Sequence, residues 1–203
     1  MKYKPNNGEE LKALCDDESV YLGDVDTSLI TDMSGLFLDS TRKDFSGIER
    51  WDTSNVANMS EMFKNSCFNK PLDNWDVSNV TDMGKMFAQT PFNQPLISWD
   101  VSAVEDMSYM FFCTPFNHSL NSWDVSRLRK ASFMFAHSSF SHPLDSWDVG
   151  SLKEAKSMFR STSYSHSLDS WGGSECVQEA LKDRNEPKDL DWFFGIETLY
   201  LKK

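Results

Sequence analysis

Two apolar rhythms alternate along the chain inside a unit of constant length. Leu72, Trp75 and Val77 stand at steps of three and two, and Leu96–Trp99–Val101, Leu120–Trp123–Val125 and Leu144–Trp147–Val149 repeat the spacing. Side chains alternate across a strand, so this run predicts a short strand with those residues inward and Asp76 outward. Val80, Met83, Met86 and Phe87 follow at steps of three and four, which predicts a short helix. Ser54, Ser78, Ser102 and Ser126 stand just before such runs, where a serine can cap a helix start. Ser102 with Glu105 has capping-box spacing. Phe92, Asn93 and Pro95 then read as a polar turn, with the proline ahead of the next strand.

The unit recurs at a fixed interval. Trp51, Trp75, Trp99, Trp123, Trp147 and Trp171 are each 24 residues apart. Met62, Met86, Met110, Met134 and Met158 share one column, and Phe37, Phe63, Phe87, Phe111, Phe135 and Phe159 another. A period of this length marks a repeat array in which each unit contacts mainly its neighbours. The L-x-x-L-x-L spacing is the strand signature of leucine-rich repeats. The expected fold is therefore α/β. It is a right-handed, leucine-rich-repeat-like solenoid with a parallel sheet of about eight short strands and short helices on the other face. The strands would start at Leu22, Ile48, Leu72, Leu96, Leu120, Leu144, Leu168 and Ile196.

Terminal repeats must differ, because an open end exposes core. Glu9 to Asp17 predicts an amphipathic helix with Leu11 and Leu14 inward. Ser174 to Lys182 predicts a last helix with Val177, Ala180 and Leu181 inward, and Trp192, Phe193 and Phe194 supply bulk beyond it. This gives one complete domain over residues 1–203: an N-terminal cap over 1–21, repeats over 22–173 and a C-terminal cap over 174–203.

Charge narrows the partners. Lys and Arg number 20 against 31 Asp and Glu, a net charge of −11. That balance argues against nucleic acid and anionic membrane surfaces, which need positive protein surface. No run of about 18 apolar residues predicts membrane insertion. The N-terminus lacks the apolar core of a secretory signal, so a cytoplasmic location is expected, with non-classical export to the cell surface or medium as the alternative. Cys15, Cys67, Cys113 and Cys176 share no spacing, which favours reduced thiols.

Several columns carry candidate chemistry. Asp26, Asp52, Asp76, Asp100, Asp124 and Asp148 follow Val or Trp and would line the exposed face, either as an acidic stripe for a basic partner or as local acceptors of the N–H two residues on. Asn74, Ile97, Ser98 and Ser122 would share that face with them, Ile97 being its apolar exception. His118, His142 and His166 form a turn column that could meet a metal, though Lys70 and Gln94 take the same place in other units. Asn69, Asn93 and Asn117 form a ladder suited to backbone groups. Asp24-x-Asp26-x-Ser28 has the opening spacing of a calcium loop, but Leu29 and Gly35 stand where the turn glycine and bidentate glutamate belong. No metal site, cofactor or catalytic constellation is expected, because each serine, histidine and aspartate is explained by its column.

The unit WDVSNVTDMxxMF, closed by FNxPL, resembles the BspA-type leucine-rich-repeat surface protein family. The likeness is close from Trp51 to Phe116 and extends through Leu168. It implies a bacterial interaction protein, an adhesin or host-protein binder in characterised relatives. The expected function is non-enzymatic binding of a protein partner, basic in character, through the repeat surface or else through the turn edge and a terminus. The alternative is an intracellular structural subunit or spacer in a larger assembly.

Overall fold

The computed structural model describes residues 2–173 and 175–185. Helix α1, Gly8–Asp16, starts at Asn7, whose side-chain oxygen accepts the Glu10 N–H at 2.9 Å. Glu10 in turn reaches back to accept the Asn6 N–H, just ahead of the cap, at 2.9 Å. Leu11 and Cys15 are its buried face. Helix α2, Glu175–Leu181, buries Val177 and Ala180 at the other end. Both fall where the apolar spacing placed cap helices. Short 3-10 turns occupy Leu22–Asp24, Ile48–Arg50 and Asp169–Trp171. Ser174, the expected bulk of Trp192, Phe193 and Phe194, and the strand expected from Ile196 lie outside the described residues.

The α/β expectation fails between the caps. Among the described residues there is no strand and no further α-helix, so the leucine-rich-repeat-like solenoid with its parallel sheet of about eight strands is not what forms. Where the strand was expected, the chain closes two turns instead. The Trp75 N–H donates to Leu72 O at 3.0 Å and the Val80 N–H to Val77 O at 2.9 Å. The Ser78 N–H is taken by Asp76 Oδ1 at 3.0 Å. Donors that a strand would offer its neighbour are thus used within the unit. The serines are not helix caps either, since the aspartate supplies the acceptor.

The expected helices are replaced by a run of tight turns with a different backbone economy. Lys85 and Gln89 both stand at φ 59°, which no right-handed helix allows. Met86 and Ala88 donate to carbonyls three residues back, Met83 O at 3.1 Å and Lys85 O at 3.0 Å. The intervening N–H groups of Met83, Lys85, Phe87 and Gln89 leave the unit and reach Asp106, Ser108, Met110 and Phe112 carbonyls at 2.8–3.1 Å. Every second donor therefore ties one unit to the next. Single-residue parallel bridges mark the same seam from Asp32 through Asn58, Asp82, Asp106 and Lys130 to Glu154. Gly35 opens the first left-handed column at φ 60°, and Glu61, Lys85, Tyr109, Phe133 and Ser157 continue it at 50–59°. Asp39, Asn65, Gln89, Cys113, His137 and Ser161 form the second.

Stacked rings fill the interior. Phe63, Phe87, Phe111, Phe135 and Phe159 follow one another with centroids 5.7–5.9 Å apart. A second aromatic column, Phe68, Phe92, Phe116, Phe140 and Tyr164, runs beside it at 6.1–6.4 Å. Phe87 and Phe92 stack within one unit at 3.9 Å. Phe92, expected in a polar turn, is fully buried. The six repeat tryptophans are buried as expected, and each indole N–H donates to a carbonyl one unit back. Trp75, Trp99 and Trp123 bond to Ile48, Leu72 and Leu96 at 3.0–3.1 Å. Near the N-terminal end, the buried guanidinium of Arg42 donates to the carbonyls of Asp44 at 2.7 Å, Cys15 and Asp17 at 3.1 Å each, and Val20. It pins the end of α1 to the stack through carbonyls, and sequence spacing gave no sign of it.

Two outcomes follow from this backbone. Trp99→Ala should cost about 3–5 kcal/mol in urea denaturation. Trp99→Phe, which keeps a ring but loses the N–H to Leu72 O, should cost clearly less, with about 1 kcal/mol assignable to the hydrogen bond. Equal losses would mean that ring volume and indole bond are not separable here. The left-handed column gives the second. Among the described residues none of the twelve non-glycine residues at positive φ is Val, Ile or Thr, the types most strained there. Lys85→Val should therefore be less stable than Lys85→Ala by about 1 kcal/mol or more, and Lys85→Gly at least as stable as Lys85→Ala. All three lose the exposed pair to Glu61 equally, so their ranking by melting temperature isolates the backbone.

Candidate binding surface

The aspartate column forms one repeated turn. Oδ1 of Asp26, Asp52, Asp76, Asp100 and Asp124 accepts the N–H of the serine two residues on at 3.0–3.1 Å, and Asp148 does the same for Gly150 at 3.0 Å. Ser54 and Ser78 add their hydroxyls to Asp52 and Asp76 at 2.6 Å. A short acceptor side chain two residues ahead of a donor is what this turn needs, so the local reading of the column holds in all six places. Asp52, Asp76, Asp100, Asp124 and Asp148 are nonetheless exposed. The turn engages only Oδ1.

At Asp26, Asp76 and Asp124 these bonds favour the ionised carboxylate. The Ser28 hydroxyl and N–H, with the Lys4 ammonium, bring Asp26 down to about 2. The Ser78 hydroxyl and then its N–H lower Asp76, and the Ser126 N–H and then its hydroxyl lower Asp124.

The other expected surface residues lie beside this column. Asn74 donates to Glu49 O one unit back, and Ser98 Oγ donates to Asp73 O at 2.7 Å. Both remain exposed, as does Ser122. Among the described residues Ile97 is 67% exposed, more than Tyr21 or Leu29, the other exposed large apolar residues. Asp73, Asp76 and Asp100, from the same unit and the one before it, are exposed as well.

The histidine and asparagine columns serve the backbone. His118, His142 and His166 each donate from Nε2 to a carbonyl one unit earlier, Asn93, Asn117 and Ser141, at 2.8–3.0 Å. A carbonyl oxygen only accepts, which fixes the proton on Nε2. Asn69, Asn93 and Asn117 accept the N–H of the residue 24 positions on at 3.0–3.1 Å. Among the described residues no three of His, Cys, Asp and Glu converge as metal ligands. No disulfide links the four cysteines, and burial pushes the Cys15 thiol up to about 12.

Sequence reasoning missed a second column of the same turn. Asp32, Asn58, Asp82 and Asp106 hold the N–H groups of Ser34, Ser60, Gly84 and Ser108 at 2.8–2.9 Å. The signal is an Asp or Asn two residues ahead of a small residue in these four units, with Lys130 and Glu154 taking the place in the next two. It was read as helix because Met83 and Met86 satisfy helical spacing.

Residues 12–114 and 91–182 match the family described as Mycoplasma protein of unknown function, DUF285. No curated protein and no solved structure matches the chain.

The turn carboxylates set an acid limit. At Asp26, Asp76 and Asp124 the folded pKa lies below the usual 3.8, so the stability these three add is complete above about pH 4 and is lost as pH falls towards the folded value, about 2 at Asp26. Melting temperature should drop between pH 4 and 2, and Asp26→Asn, which keeps the acceptor without the charge, should flatten part of that drop. An identical profile in the variant would remove Asp26 from the account.

Proposed function

The chain belongs to the Mycoplasma DUF285 family, and from that premise we propose that it is a non-enzymatic interaction protein of BspA-like repeat type, binding a protein partner through the exposed turns of its repeats. The observation that carries this reading is Ile97. A large aliphatic side chain with 67% of its surface in water has no part in the core. Its column holds Glu49, Asp73, Asn121, Asp145 and Asp169 in the other units, so the repeat itself does not require an apolar residue there.

The partner this surface fits is basic, with an apolar group for Ile97. Asp76 and Asp100 would act at long range, steering encounter, while Ile97 supplies the desolvated contact. A cell-surface setting is part of the same proposal, since it is where relatives of the BspA type act. Intact cells treated with a membrane-impermeant amine label would then yield labelled protein.

Binding should depend on both features. With immobilised wild-type protein, Ile97→Asn (the residue its column carries at Asn121) should weaken a captured partner about tenfold, mostly through faster release. Asp76→Asn together with Asp100→Asn should slow association, and added salt should do the same to wild type. A partner that is held equally by all variants, with no salt dependence, would overturn the proposal.

A further inference from the structure

The ladder seam differs from the turn surface in one respect: its charge changes sign along the stack. Asp82, Glu105 and Asp106 occupy it in the second and third tryptophan-bearing rows, then Arg129, Lys130, Lys153 and Lys156 in the next two. Glu154 is the acidic exception among the latter. The reversal falls between adjacent units. Arg129 Nε stands 3.5 Å from Glu105 and Lys130 Nζ 3.6 Å from Asp106, all four side chains being a quarter to a half exposed. Thr81, Asp82, Glu105, Asp106, Arg129 and Lys130 together line a shallow groove there.

The same two units break the repeat in a second way. At the first left-handed position the other units carry Gly35, Glu61, Lys85 and Ser157, while these two carry Tyr109 and Phe133. The two rings stack at 4.9 Å, with Phe112 edge-on to Tyr109 at 5.5 Å. Both are partly exposed. A bulky side chain gains nothing from positive φ, and four units build the same backbone without an aromatic. The rings therefore answer to something outside the repeat.

We propose that this face pairs with a second copy of the chain, antiparallel, about a twofold axis between the Tyr109 and Phe133 units. Such an axis puts Glu105 and Asp106 of each copy opposite Arg129 and Lys130 of the other, and sets aromatic against aromatic at the centre. A twofold interface must be self-complementary, and a surface whose sign reverses at its midpoint meets that condition only in the antiparallel sense. An aromatic centre with a charged rim is the usual anatomy of a protein interface. The positions involved are not those of the Ile97 surface, so this inference stands apart from the binding function above.

Sedimentation velocity over a concentration series tests it on the 203-residue chain. Wild type should dimerise. Tyr109→Ser with Phe133→Ser, which installs the residue that Ser157 shows the column tolerates, should raise the dimer dissociation constant about thirtyfold or more. Circular dichroism melting confirms that this variant folds. Two charge variants, Glu105→Lys/Asp106→Lys and Arg129→Glu/Lys130→Glu, should each be monomeric, while their equimolar mixture associates. A wild-type monomer at all concentrations, or charge variants that dimerise alone as well as mixed, would overturn the proposal.

Discussion

The indole N–H of each repeat tryptophan reaches back one unit to a leucine or isoleucine carbonyl, and the stack depends on that bond. The accepting oxygen already holds a donor from its own unit. Leu72 O takes the Trp75 N–H at 3.0 Å and the Trp99 indole at 3.0 Å. Both lone pairs are used, one closing a turn and one joining two units. A phenylalanine would fill the space yet leave that buried oxygen with one partner, which explains why only tryptophan occupies six successive places. The bond also fixes register, because an indole has one donor and the carbonyl lies in one direction. Phe columns beside it could slide by a fraction of a ring; the indole could not.

Register in turn lets the polar atoms be settled by columns. Side chains of Asp, Asn, Ser, Thr and His along the units are spent largely on backbone groups of their own or the neighbouring unit. Thr90 donates to Phe87 O at 2.6 Å and accepts the Phe92 N–H at 3.3 Å. Buried backbone groups need such partners, and a chain that makes neither helix nor sheet between its caps must find them in side chains. The cost appears in the twelve non-glycine residues at positive φ among the described residues. The gain is a backbone that exports every second N–H and so binds each unit to the next.

Function has to be sought where this economy is broken. A residue that follows its column is explained by the stack, whatever its chemistry. That applies to the aspartates, whose carboxylates hold turns, and to His118, His142 and His166, whose rings hold carbonyls. Ile97, Tyr109 and Phe133 depart from their columns, and no core contact or backbone bond calls for the departure. They carry the binding proposal and the dimer proposal respectively, one on the turns and one on the seam.

The sequence alone determined the period, the inward columns of Trp, Met and Phe, the cap helices and the local use of the aspartates. Each of these is a property of spacing or of a side chain acting two or three residues away. It did not determine what the backbone does between Val77 and Phe92. Leu72–Trp75–Val77 has the spacing of a strand and Val80–Met83–Met86–Phe87 that of a helix, but burial of a side-chain column does not specify φ. Two left-handed residues per unit produce the same apolar pattern through turns, and Lys85 or Tyr109 gives no local sign of adopting them. Only the stacked neighbour, accepting the N–H groups that a helix would have kept, decides for that conformation. The sign reversal at Glu105–Arg129 was equally present in the sequence, yet it became a surface only once the seam brought those units side by side.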